Sequence, residues 1–174
     1  MITTTLAAIK AEKPCADRYR AFVRAIERRD GKLPGDDTPF PLQWALDLGS
    51  WDDAIWCLRL TPKIARLFAA DCAEHVIHLF QQQRPADTRP RHAIETARRY
   101  ACGLATDAEQ AAARAAAWDA ARAAARAAAW DAARDAAWDA ARDAETVWQR
   151  NRLSAYWAGH VPAPLAGLTA GVAA

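Results

Sequence analysis

Ala116-Ala-Trp-Asp-Ala-Ala-Arg-Ala123 is the first of three copies of an eight-residue unit, and the other two begin at Ala128 and Ala136. The units lie in a stretch, residues 106–157, that contains no Gly and no Pro. Alanine is the best helix former, and arginine is close behind it. The stretch opens with Thr106-Asp-Ala-Glu109, a capping box in which hydroxyl and carboxylate satisfy open backbone N–H groups. The sequence therefore predicts one long helix over residues 106–157, either continuous, kinked or broken.

Arginine and tryptophan recur along this helix at intervals of four residues, which makes them neighbours on its surface. A step of four residues turns through about 400°, so the ridge drifts by about 40° per step and winds around the helix. No flat partner can cover all of it, and we expect Trp118 to be buried while the far end stays uncovered. The alternative is that every tryptophan of the run is a core anchor. The uncovered part, predicted to bind a partner protein or to form a homodimer seam, is Trp130, Arg134 and Trp138.

The rest of the chain, residues 1–103, predicts short helices joined by signals such as Thr61-Pro62 and Gly103. No stretch alternates apolar and polar residues with β-branched enrichment, so no strand is predicted. The predicted fold class is all-α, a compact single domain of about six or seven helices over residues 1–159. Its last helix is the long Ala-rich one. Residues 160–174, rich in Gly, Ala and Pro, are predicted to be a loosely ordered tail.

Composition limits the classes of protein that the chain can be. The net charge of +2 does not favour a nucleic-acid partner, because acids are mixed with the arginines. Arg and Asp interrupt the Ala-rich run regularly, so no membrane span is predicted. The cysteines are widely spaced, form no CxxC pair and follow no secretory signal, which favours reduced thiols and a cytoplasmic location. They are Cys15, Cys57, Cys72 and Cys102.

Cys72, His75 and His78 are residue types that bind soft metals, and they follow one another at intervals of three on one predicted helix. Steps of three fan the side chains over about 120°, so the three cannot converge on one ion. No second Cys/His cluster supplies the missing ligands. Cys72 and His75 are close enough for a nucleophile–base pair, but the sequence fixes no carboxylate beside them. We therefore predict no metal, no cofactor and no catalytic residue.

A basic cluster surrounds the turn before the next predicted helix, where the free N–H groups and the helix dipole favour anions. We predict that Arg89, Arg91 and Arg98 bind a partner, with an acidic protein patch favoured over a phosphate. The alternative is a solvated surface whose arginines are paired internally. The whole cluster comprises Arg84, Arg89, Arg91, Arg98 and Arg99.

Three elements of this region resemble a known family. They are Asp71-Cys-Ala-Glu-His-Val76, Leu79-Phe80 and Asp87-x-Arg-Pro-Arg-x-Ala-Ile-Glu-x-Ala-Arg98, with the aromatic-studded Ala-rich helix after them. Over residues 68–145 the chain resembles a family of bacterial immunity proteins, the fifth of the numbered immunity families attached to polymorphic toxin systems. The first 60 residues look more like proteins carried by prophages. The resemblance implies a small intracellular protein that acts by stoichiometric binding.

Three function classes follow from these observations. The favoured one is a non-enzymatic inhibitor that binds a target protein, either a co-encoded toxin or a host defence effector, as an anti-CRISPR protein does. The second is a nucleic-acid-associated helical protein that uses its Arg-rich helices. The third, an enzyme built around Cys72 and His75, is the least favoured.

Overall fold

The structure of the chain, a computed structural model, describes the backbone of residues 1–128 and 135–160 and the side chains of residues 1–121 and 142–160. Within these ranges the chain forms eight α-helices, one 3-10 turn and one small sheet, which confirms the predicted all-α class. The helical elements are α1 (Leu6–Ala11), α2 (Ala16–Asp30), α3 (Trp44–Asp47), α4 (Trp51–Cys57), the 3-10 turn (Leu58–Leu60), α5 (Pro62–Gln83), α6 (Arg89–Ala101), α7 (Asp107–Ala128) and α8 (Asp135–Trp157).

A capping box marks where two of these helices begin. At α4, the Ser50 hydroxyl accepts a hydrogen bond from the Asp53 N–H at 3.2 Å, and the Asp53 carboxylate accepts one from the Ser50 N–H at 2.8 Å. At α7, the Thr106 hydroxyl accepts from the Glu109 N–H at 3.2 Å, and the Glu109 carboxylate accepts from the Thr106 N–H at 2.7 Å. Each box satisfies two backbone donors that a helix start leaves open. The predicted capping box at Thr106 is confirmed.

The prediction that the chain contains no strand is wrong at one place. β1 (Thr3–Thr4) pairs antiparallel with β2 (Phe40–Pro41), with Thr4 opposite Phe40. Two residues are too short a run to show the alternation by which a strand is recognised in sequence. The pair forms because the buried Phe40 side chain anchors β2 in the core, which holds its extended backbone beside β1.

The chain divides into two compact units. The first contains residues 1–65 and, at the far end of the described chain, 150–160, while the second contains Arg66–Gln149. Helices α5 and α8 each contribute to both units. The single domain predicted over residues 1–159 stays a prediction.

The core of the first unit forms around Ile26 and Phe40, which are 0% and 3% exposed. The ring of Trp44 stacks on that of Phe40 with centroids 5.1 Å apart. Trp157, at the end of α8, is completely buried, and its carbonyl oxygen accepts a hydrogen bond from the Ile2 N–H at 2.7 Å. The end of α8 therefore completes a unit that the first residues of the chain begin.

In the second unit, α7 packs against α6, and the small side chains of Ala113 and Ala120 on α7 are buried. Ala121 lines a cleft against residues 66–80 of α5, while Glu145 of α8 contacts His75 in the middle of that segment. A continuous helix would place Glu145 about 36 Å beyond Ala121, whereas residues 66–80 span only about 21 Å. Helices α7 and α8 are therefore not parts of one straight helix. Residues 129–134, which join them, lie outside the described residues.

Candidate partner-binding surface

An ion-pair network joins α5 to α6 inside the second unit. One terminal nitrogen of Arg98, Nη2, donates to Asp71 Oδ1 at 2.7 Å and to Glu74 Oε2 at 2.5 Å. Arg98 and Asp71 are only 5% and 2% exposed. The hydrogen bond from Arg98 lowers the pKa of the Glu74 carboxyl below its usual value. Arg98 was predicted to bind a partner at the surface. It is instead buried and paired within the chain, which was the alternative.

The basic turn itself is partly neutralised by an acid of its own. Asp87 Oδ1 accepts from the Arg89 backbone N–H at 3.1 Å and from Arg89 Nε at 2.9 Å, and Asp87 Oδ2 accepts from Nη2 at 2.6 Å. These bonds lower the pKa of Asp87 to about 2. The Asp87 carboxylate therefore already lies at the N-terminal end of α6. This is the place where a phosphate was considered as the less favoured ligand. Arg91 stays exposed, and its hydrogen-bond contact among the described residues is a long one, 3.4 Å, to Gln81.

A second cluster joins α5 to α8. His75 Nδ1 lies 2.6 Å from Glu145 Oε2, and the Trp148 ring stacks on the imidazole. Glu145 is the carboxylate that the sequence could not place beside Cys72 and His75, because 70 residues separate it from His75. Neither of the two cavities described below is lined by Cys72 or His75. Among the described residues, no group of three or more His, Cys, Asp or Glu could hold a metal ion.

A cleft of about 660 Å³, here called the α5–α7 cleft, opens between α5, α6 and α7. Alanine is its commonest lining residue, and the charged residues among those that line it are Arg66 and Arg114. Gln110 also lines it, and the buried Oε1 of that side chain accepts no hydrogen bond from the described residues. The apolar lining comprises Ala69, Ala70, Ala73, Val76, Ile77, Phe80, Pro90, Ala93, Ile94, Ala97, Ala117 and Ala121.

Large apolar side chains are exposed on the two helices that border this cleft. On α5, Val76 and Leu79 are 37% and 55% exposed. On α7, Trp118 is 66% exposed and lies beside the cleft residues Arg114 and Ala121, four and three positions away. The expectation that Trp118 is buried is therefore wrong. The reason is that α7 turns its alanines, rather than its tryptophan, toward α6, and the small residues let the two helices approach closely.

The other predicted binding residues are not positioned by the structure. Trp130 and Arg134 lie outside the described residues, and so does the side chain of Trp138. Their predicted role in partner binding or in a homodimer seam stays a prediction.

The first unit has a smaller cavity of about 180 Å³ between α2 and α4, lined in part by Cys15, Tyr19 and Trp56. Cys57 also lines it, and burial raises the pKa of the Cys57 thiol to about 11. That thiol is protonated at neutral pH and is a poor nucleophile. The cavity therefore offers apolar surface rather than an activated cysteine at Cys57.

The described part of the chain is thus a helical protein with an open apolar cleft, and its buried charges are paired between helices. The sequence model of the family described as "Imm-5 like putative immunity protein" matches residues 61–147, half of the chain. The chain belongs to this family. The match contains the α5–α7 cleft, the Arg98 network and the His75–Glu145 pair, and it agrees with the resemblance drawn from residues 68–145.

No curated protein and no solved structure matches the chain. Within the described ranges, no helix combines the length and the apolar character that crossing a membrane requires.

Proposed function

We propose that the chain is a non-enzymatic immunity protein that neutralises a toxin by stoichiometric binding in the cytoplasm. Membership of the Imm-5 like family carries this proposal, because the matched residues 61–147 build most of the second unit, the one with an open apolar cleft. A toxin encoded beside this chain is the expected target.

The chemistry of the described side chains supports binding over catalysis. The buried charges of Asp71 and Arg98 are used to join helices. The Cys57 thiol is protonated, and the His75–Glu145 pair lines neither described cavity. No disulfide links the four cysteines, which agrees with a reducing compartment.

The charge of the surface favours a protein target over nucleic acid. Arg98 is buried, and Arg89 is held by Asp87, so two of the three arginines predicted to face a partner are already paired. Arg91 remains exposed and is the member of that cluster best placed to meet an acidic patch. A host defence effector, such as a CRISPR nuclease, is the other class of protein target for the same mechanism.

The test is a titration of the neighbouring toxin with the purified chain. We expect residual toxin activity to fall in proportion to added chain and to reach zero at a fixed molar ratio, with a complex of that ratio in light scattering. Complete inactivation by a small fraction of an equivalent would indicate catalysis instead. Absence of both binding and protection would overturn the proposed toxin target, and the same titration would then be run with a defence effector.

A further inference from the structure

Resting on the proposed function, we infer that the α5–α7 cleft holds one amphipathic helix of the toxin, with acidic residues beside its apolar face. The cleft supplies two kinds of complementarity for such an occupant: apolar surface and positive charge.

The apolar surface extends beyond the cleft to both bordering helices. Val76 and Leu79 on α5 and Trp118 on α7 are all large apolar side chains with more than a third of their surface exposed. Val76 lines the cleft, Leu79 lies one turn further along α5, and Trp118 follows the cleft residue Ala117 on α7. Exposed apolar surface beside an apolar cleft favours an interaction site. Tryptophan is also the residue type most enriched among those that dominate binding energy.

The shape of the cleft fits a helix better than an extended peptide. An extended peptide binds by adding to the open edge of a sheet, and the bordering elements here are helices whose backbone groups are already bonded along the chain. The cleft-lining part of α5, residues 66–80, spans about 21 Å, which is the length of about 14 helical residues. The alanine walls keep the cleft wide and let the backbone of an incoming helix approach closely.

The charges that line the cleft determine which charge the occupant is expected to carry. Its charged lining residues are both arginines, Arg66 and Arg114. The Arg66 guanidinium lies over the Tyr100 ring, 5.0 Å from its centroid. Arg114 is exposed and makes no ion pair among the described residues. Acidic residues of the toxin helix would meet these arginines, whereas basic ones would be repelled.

One polar atom of the cleft wall has no hydrogen-bond partner among the residues that the structure describes. The Oε1 atom of Gln110 is buried, and no described group donates to it. Buried acceptors are nearly always hydrogen-bonded in folded proteins. Because Oε1 is buried, a docked helix could donate to it only if the Gln110 side chain moved, so the apolar surface and the charge define the occupant.

Two substitutions that fill the cleft from opposite walls test the inference. Ala73 on α5 and Ala121 on α7 both line the cleft and are exposed, so Ala73→Trp and Ala121→Trp obstruct it without disturbing the core. The matched control is Ala112→Trp, the same change at an exposed position of α7 that neither lines the cleft nor neighbours Trp118. We expect each cleft variant to bind the neighbouring toxin at least tenfold more weakly than the wild-type chain, and the control to bind equally well.

The charge of the occupant is tested separately with Arg114→Glu. We expect weaker toxin binding at low salt and a shallower dependence of affinity on salt, because one attractive contact becomes repulsive. The control is Arg24→Glu, an exposed arginine of α2 in the first unit. Hydrogen exchange of the wild-type chain with toxin should slow at amides of residues 73–80 and 114–121.

The outcomes separate this inference from the proposed function. Folded cleft variants that bind and neutralise the toxin like the wild-type chain would overturn the cleft while leaving the immunity function intact. Unchanged affinity of Arg114→Glu at every salt concentration would overturn the acidic occupant. Burial of Trp118 that depends on protein concentration without toxin would identify a second copy as the occupant instead. A wild-type chain that does not bind the toxin at all would overturn both proposals.

Discussion

The imidazole ring of His75 lies flat against the indole ring of Trp148, with centroids 3.9 Å apart and planes inclined by 8°. The same imidazole contacts the Glu145 carboxylate through Nδ1. Two residues of α8, one helical turn apart, therefore hold a single side chain of α5. The pair joins His75, near the start of the family-matched segment, to Glu145, near its end.

We expect Trp148→Ala to lower the free energy of unfolding by about 2 kcal/mol, since it removes a stacked, partly buried aromatic ring. The matched control is Val147→Ala, next to it on α8, whose side chain is 60% exposed and should cost less than about 0.5 kcal/mol. Urea unfolding of the two variants measures the difference. Equal losses would mean that the stacking contact contributes little.

Substitution of Arg98 should lower the free energy of unfolding strongly, and a second substitution should restore most of the loss. Arg98→Ala removes the ion pair that Arg98 makes with the buried Asp71 carboxylate, and breaking a buried pair from one side typically costs about 3–5 kcal/mol. Replacing both groups by apolar side chains, Arg98→Met with Asp71→Leu, should recover most of that loss because no buried charge is stranded. Arg91→Ala, on the exposed side of the same helix, is the control. A small effect of Arg98→Ala alone would show that water reaches Asp71.

Stability should also depend on pH through Glu74. Its pKa is lowered in the folded chain, so it contributes stability above its ordinary value of 4.5, and that contribution is lost as the pH falls through the folded pKa. The difference in unfolding free energy between wild type and Glu74→Gln should therefore be greatest above pH 4.5 and shrink on acidification. Glu95→Gln, an exposed carboxylate of α6, is the control. A difference that grows on acidification would contradict the pairing with Arg98.

Two threonines at helix starts differ in their capping, so their substitution by alanine should lower the free energy of unfolding by different amounts. The Thr106 hydroxyl caps α7, whereas the Thr88 side chain makes no capping hydrogen bond at α6. Thr106→Ala should lower the free energy of unfolding by about 1 kcal/mol, a typical value for a lost N-cap. Thr88→Ala should change the free energy of unfolding by a few tenths of a kcal/mol at most. Thermal unfolding of the pair checks this, and equal shifts in Tm would count against the capping box.

The exposure of Trp118 predicts that it matters for binding rather than for folding. Trp118→Ala should change the free energy of unfolding by less than about 0.5 kcal/mol, as surface substitutions usually do. Trp157→Ala, at a completely buried site in the first unit, should cost about 3–5 kcal/mol. Chemical denaturation ranks the two variants. A loss at Trp118 as large as that at Trp157 would place the Trp118 ring in a core.

Local physical signals explain why most helix boundaries could be predicted from the sequence. A capping box depends on residues three apart, and Thr61-Pro62 or Gly103 acts on the adjacent backbone, so each is readable without the fold. The β1–β2 pair was missed because it depends on two short segments that are far apart in the chain.

The surface could be predicted only in part, because it depends on which helices meet. Nothing in the local pattern distinguishes the buried Arg98 from the exposed Arg91, and the difference arises from Asp71 and Glu74 on a neighbouring helix. The orientation of Trp118 was missed for the same reason. The winding Arg–Trp ridge indicated that some tryptophan stays uncovered, but the packing of α6 and α7 decides which one.

The position of Trp157 has a consequence for how the chain is made on the ribosome. The first unit contains residues 1–65 and the buried end of α8, so its core lacks Trp157 until more than 90 further residues have been translated after residue 65. At about 5–20 residues per second, roughly 4–17 s separate synthesis of residue 65 from synthesis of residue 150. The described part of the second unit, by contrast, lies on one continuous segment, Arg66–Gln149. A nascent chain therefore contains the whole family-matched segment before the end of α8 is available to complete the core of the first unit.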